Sequence, residues 1–157
     1  QTSQEYADIY WRSSSLIEDD KGVISRRLVF LDSELREAGR FQNLTEKEYG
    51  SDRTKAREVE RWIENLMNAS IDIAKTILAS QKKPIPSSYR EILHGMGFVH
   101  GLSIPESFSD KLSNWTGLRN ILADEYLDIS WKRIKEFLKE NQSVLEAYIN
   151  AVREFIK

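Results

Sequence analysis

Cysteine is absent from this sequence, which removes disulfide frameworks, thiolate catalysis and cysteine-ligated zinc from consideration. Only two histidines occur, His94 and His100, too few for a histidine-rich metal centre. No metal or cofactor is therefore expected. Proline and glycine are scarce, at three and seven residues, as suits long uninterrupted helices. A surplus of either charge is also lacking. With 23 Lys+Arg against 25 Asp+Glu the net charge is −2, so no basic face invites DNA or an anionic membrane. Any contact with RNA has to be local, in a cleft. No apolar run is long enough to cross a bilayer, and no signal-peptide pattern opens the sequence as given, so a cytoplasmic location is expected.

What is present is an ordinary globular composition: 40% hydrophobic and 31% charged over 157 residues, enough for one domain with a real core. Residues 1–22 show no clean period and form an N-terminal extension of uncertain structure. Its Tyr6, Tyr10 and Trp11 are read as docking it onto the rest of the chain. From residue 23 to residue 157 the pattern is helical.

Leu28, Leu31 and Leu35 predict a helix from Val23 to about Ala38, with Gly39 as its stop. Thr45-x-x-Glu48 looks like a capping box opening a short turn or helix, which Gly50 interrupts. The longest helix is expected over Asp52–Ser80. Val59, Trp62, Ile63, Leu66, Ser70, Ile73, Ala74 and Ile77 share one face. Arg61, Glu64, Asn65, Asn68, Asp72 and Lys75 share the other. The segment Lys82-Lys83-Pro84-Ile85-Pro86 ends it. Ser88-x-x-Glu91 caps a third helix reaching about Val99, and Gly101 breaks the chain. Ser103-x-x-Glu106, with Pro105 inside the first turn, opens a fourth helix carrying Phe108, Leu112, Trp115, Leu122 and Tyr126. Asp128 or Ser130 caps a fifth, striped by Ile134, Phe137, Leu138, Leu145, Tyr148, Val152 and Phe155. No strand pattern competes. The expected fold is all-α, an antiparallel bundle of about five helices.

One residue violates the pattern. At roughly 100° per residue, Arg119 points within about 20° of Phe108 and Tyr126, in the middle of the apolar stripe. An unpaired buried guanidinium costs several kcal/mol, on the order of magnitude, so this charge needs an anion or a wet cleft. Three readings stand open: an internal carboxylate, a subunit interface, or a phosphate site suited to the planar fork of arginine. Asp124 points about 140° away in an unbroken helix, whereas Tyr126, two turns along, shares the face of Arg119.

Several stretches resemble the HepT-like branch of the HEPN superfamily, small all-helical ribonuclease toxins. They are REVERWIENLMNASIDIAKTIL (57–78), PSSYREIL, and GLSIPESFSDKLSNWTGLRNILADEYLDI. The resemblance covers most of residues 23–157 and rests on these stretches. The family signature is Arg, four residues, His, one residue, Tyr. Here it reads Arg119, Asn-Ile-Leu-Ala, Asp124, Glu125, Tyr126, after Gly117-Leu118.

The resemblance implies a homodimer that cleaves RNA without a metal ion, at a cleft between its subunits. It implies Arg119 on the scissile phosphate, position 124 handling protons, Tyr126 beside them and Asn120 as a helper. It also implies a nucleotidyltransferase antitoxin partner that can attach AMP to Tyr126. The departure is aspartate at position 124. Imidazole, with a pKa near ~6.5, can both accept and donate a proton at neutrality. A carboxylate near ~3.9 is mostly ionised and repels phosphate. Cleavage is therefore expected to be impaired, through natural loss or through an introduced inactivating substitution; an otherwise intact motif favours the latter. An aspartate base stays open if burial raises its pKa. The alternative function is a catalytically silent HEPN module that binds the nucleotidyltransferase or RNA, and a weaker one is a structural adaptor.

Other groups carry less. His94 and His100 are read as surface or capping residues. Arg53, Arg57 and Arg61 are read as a solvated, ion-paired face, with Glu58, Glu60 and Glu64 around them. Asn65, Asn68 and Asp72 are placed where they could approach the helix of Arg119 in the folded bundle.

Overall fold

A computed structural model describes residues 16–82, 84–123 and 131–157. Among the described residues six α-helices occur in order: α1 (Glu18–Leu35), α2 (Glu46–Ser51), α3 (Arg53–Ser80), α4 (Tyr89–Gly95), α5 (Glu106–Ala123) and α6 (Trp131–Phe155). Two short 3-10 segments, Arg36–Arg40 and Met96–Phe98, continue α1 and α4. No strand occurs among the described residues. The chain is all-α, as its apolar spacing predicts.

Local chemistry explains most of the helix ends. The Thr45 hydroxyl accepts from the Glu48 backbone N–H at 3.1 Å and donates to the Glu48 carboxylate at 3.1 Å, closing the cap of α2. Asp52 accepts from Lys55 N–H at 3.1 Å and starts α3, and Ser88 accepts from Glu91 N–H at 3.2 Å and starts α4. Gly101, at φ +86°, makes the break before α5.

Other expectations are corrected. Helix α1 begins at Glu18, inside the stretch set aside as an extension, because Glu18, Asp19 and Asp20 favour a helix N-terminus. Gly39 does not stop that helix. The α-helix has already tightened into 3-10 geometry at Arg36, and Gly39 lies within that turn. Gly50 sits inside α2, and the interruption falls at Asp52, whose extended backbone serves as cap for α3. Pro105 stands just before the first residue of α5, with its carbonyl accepting from Ser109 N–H at 3.1 Å, so Ser103 is not the cap. The proposed caps of the last helix, Asp128 and Ser130, lie outside the described residues.

Helix α3 is the hub: α1, α2, α4 and α5 all pack on it. It runs antiparallel to α1, since Arg27 meets Asp72 and Glu34 meets Trp62. Helices α5 and α6 are likewise antiparallel, with Lys111 on Glu140 and Trp115 on Phe137. Helix α6 reaches α3 through large side chains. Phe137 is fully buried and meets Trp115 and Trp62 edge-on, at centroid distances of 4.7 and 6.0 Å. Tyr148, also fully buried, donates its hydroxyl proton to the Ser70 carbonyl at 2.7 Å. Burial pushes that phenol far above its usual range, so it stays a donor.

Candidate functional site

The buried positions of α5 are Ser109, Leu112, Ser113, Trp115, Thr116, Leu118 and Leu122. Arg119 falls within their arc, between Trp115 and Leu122, yet its side chain is only half-buried. Tertiary packing resolves the contradiction. Opposite Arg119 the bundle presents not aliphatic core but the polar flank of α3 and the first residue of α4.

Three groups hold the guanidinium. Its Nε donates to the Asn68 side-chain oxygen at 2.7 Å, and its Nη1 donates to the Asn120 side-chain oxygen at 3.3 Å. Its Cζ lies 5.1 Å from the centre of the Tyr89 ring. Asn68 therefore approaches the helix of Arg119 as its place on α3 suggested. All three partners are neutral. No carboxylate among the described residues pairs with Arg119. The internal-carboxylate reading is thus not what the described residues show, and among them the guanidinium is oriented by neutral groups alone.

The surroundings extend along α3. Asp72, one turn beyond Asn68, is turned toward α1, where it accepts from Arg27 at 2.9 Å. A cleft of about 430 Å³ runs between α1 and α3 beside this pair, lined by Arg26, Phe30, Asn65 and Asn68 among others. Lys75, one turn further, sets its ammonium 4.9 Å from the centre of the same Tyr89 ring. Sequence reading missed Tyr89 and Lys75 as neighbours of Arg119. Tyr89 lies in the PSSYREIL stretch, but nothing periodic marks it, because its partners come from two other helices.

The remaining candidates separate cleanly. Asn120 is exposed and its amide accepts from Arg119. Asp124 and Tyr126 lie outside the described residues, which resume at Trp131. His94 is exposed at the end of α4 with its ring 5.3 Å from that of Phe98, and His100 is exposed in the following loop. Arg53, Arg57 and Arg61 are exposed, as a solvated face requires. Two of the acids around them have partners elsewhere: Glu58 engages Arg40, and Glu60 accepts from the Tyr49 hydroxyl at 2.8 Å. Among the described residues no group of three or more His, Cys, Asp or Glu side chains could hold a metal ion. No described helix is long and apolar enough to cross a membrane.

Fold and site together define an all-helical bundle in which an arginine is held by neutral groups, Asn68, Asn120 and Tyr89, with a guanidinium suited to an anion such as phosphate. A family model described as ribonuclease HepT-like matches residues 31–152, and the chain belongs to that family. Comparison with curated proteins gave no match.

Proposed function

We propose that this chain is the toxin half of a toxin–antitoxin pair: an endoribonuclease built to cut RNA at a cleft between two identical subunits, and weakened by Asp124. The observation that carries the reading is the Arg119 guanidinium, aimed by Asn68, Asn120 and Tyr89 and left without a carboxylate among the described residues. Membership of the HepT-like ribonuclease family supplies the substrate.

Cleavage needs no metal in this scheme. The ribose 2′-oxygen loses its proton and bonds to phosphorus, the P–O5′ bond breaks, and the departing oxygen takes up a proton. Arg119 offsets the charge that builds on the phosphoryl oxygens. Position 124 is where the proton carrier belongs, and aspartate there is a poor donor at neutrality. Val29 and Phe30 of α1 are exposed, and Phe30 lines the cleft beside Asn68, an apolar surface of the kind a second subunit would cover. The antitoxin would be a nucleotidyltransferase that attaches AMP to Tyr126, adding bulk and a negative phosphate near Arg119. The site of action would be the cytoplasm.

The test is cleavage of single-stranded RNA in chelator by the chain and by Asp124→His. Histidine is expected to raise the rate by about two orders of magnitude, within the usual range for a general acid–base. No cleavage from either, with firm binding to a nucleotidyltransferase, would favour the silent binding module instead.

Asn68→Asp probes the neutrality of the group that Arg119 donates to. The substitution is nearly isosteric and puts a carboxylate where Arg119 already donates. In the Asp124→His background it is expected to leave the melting temperature unchanged or slightly raised, because a charged acceptor strengthens the bond. RNA cleavage should fall by about tenfold or more, since the arginine charge is now spent internally. Unchanged cleavage would mean that neutrality at position 68 is irrelevant.

A further inference from the structure

We propose that Lys75 and Arg119 form a two-cation clamp for the RNA backbone, with Tyr89 as the positioning residue they share, so that Lys75 takes a second phosphate of the strand whose neighbouring phosphate lies on Arg119. The inference rests on the proposed ribonuclease function and adds to it the contact that sets where the strand runs. Each cationic centre stands about 5 Å from one ring centroid, at 4.9 and 5.1 Å, so the two lie within about 10 Å of one another. That upper bound is compatible with successive phosphates of one strand.

The ring accounts for the placement. An aromatic face attracts a cation through its quadrupole but carries no net charge, so it orients both groups and neutralises neither. Tyr89 is itself anchored, half-buried against the hydrophobic core at the start of α4. Lys75 has no ion-pair partner among the described residues, and Asp72, one turn before it on the same flank, is engaged by Arg27. The Lys75 stem is half-buried on α3. Its ammonium is therefore placed more narrowly than a free surface lysine. Helix α3 thus delivers two elements to one line, the Asn68 amide that aims Arg119 and, seven residues or about 10 Å further along the axis, Lys75. Cations placed locally, rather than a uniformly basic face, are how a chain of net charge −2 can track a single strand.

The experiment is binding of a fluorescein-labelled, eight-nucleotide, fully 2′-O-methylated single-stranded RNA, which cannot be cleaved, followed by anisotropy over a salt series. The full chain is used with Lys75→Gln, Lys75→Arg, Tyr89→Phe, Tyr89→Leu and Arg119→Ala, each checked by thermal melting. Lys75→Gln should weaken binding about five- to tenfold and reduce the slope of log K against log salt by about 0.7, one phosphate contact on a single strand. Lys75→Arg and Tyr89→Phe should retain the affinity, and Tyr89→Leu should lose it to a similar extent as Lys75→Gln. A Lys75→Gln slope equal to that of the unaltered chain overturns the clamp. If Arg119→Ala still weakens binding in that case, the ribonuclease reading survives and only the clamp falls. If Arg119→Ala is also without effect, or the unaltered chain does not bind, both fall.

Discussion

Arg119→Ala in the Asp124→His background is expected to lower the single-turnover rate of RNA cleavage by about two to three orders of magnitude, the usual effect of deleting a preorganised group that meets developing charge. The size of the effect stems from the environment. The guanidinium is fixed by a 2.7 Å bond to Asn68 and by the Tyr89 ring, so little reorganisation is needed when charge appears on a phosphoryl oxygen. Stability should change little. Asn68 and Arg119 are both half-buried, so the amide oxygen left behind can reach water rather than remain orphaned. A melting temperature within a few degrees of the parent, together with the rate loss, is the expected pair of results. Arg119→Lys should recover only part of the rate, because an ammonium on a flexible stem lacks the planar fork that Asn68 and Asn120 hold. An unchanged rate for the alanine variant would remove the arginine from the chemistry.

Phe137→Ala is expected to cost about 3–5 kcal/mol in urea unfolding, typical of a truncated buried aromatic. That is a large part of the roughly 5–15 kcal/mol available to a domain of this kind. Phe137 is the joint between three helices: fully buried on α6, edge-on to Trp115 of α5 and to Trp62 of α3. Trp62 cannot follow the retreating side chain easily. The Trp62 indole N–H is tied to the Glu34 carbonyl at 2.6 Å, and its ring lies 4.9 Å from that of Phe41. A cavity is therefore left rather than filled. Trp115 sits one turn before Arg119, so the same variant should also loosen the helix that presents the arginine and lower RNA affinity at temperatures well below unfolding. A loss under about 1 kcal/mol would mean that the core closes over the gap.

The helices that read most clearly from sequence are those with a sustained apolar stripe. Val59 to Ile77 on α3 and Ile134 to Val152 on α6 recur at helical spacing and are buried as that spacing requires. Short elements read less well. Gly50 looks like a break yet lies within α2, because the Thr45 cap carries the chain through it, and Pro105 stands ahead of α5 rather than inside its first turn. Arg119 was conspicuous because a charge in an apolar arc violates the pattern. Asn68 was legible only as a residue on the right flank of α3. Lys75 was read on that same flank without a link to Arg119, and nothing marked Tyr89 as its neighbour.

The sequence by itself determined the all-α class, the extent of the longest helix and the presence of one misplaced guanidinium, since each depends on residues within a turn or two of one another. Tertiary structure alone decided what that guanidinium faces. The rotation of α3 against α5 brings Asn68 to Arg119 across 51 residues of chain, the start of α4 supplies Tyr89, and Asp72 is drawn off to Arg27 on α1. Such pairings are set by how whole helices pack, and a one-dimensional period carries no record of which flank meets which neighbour.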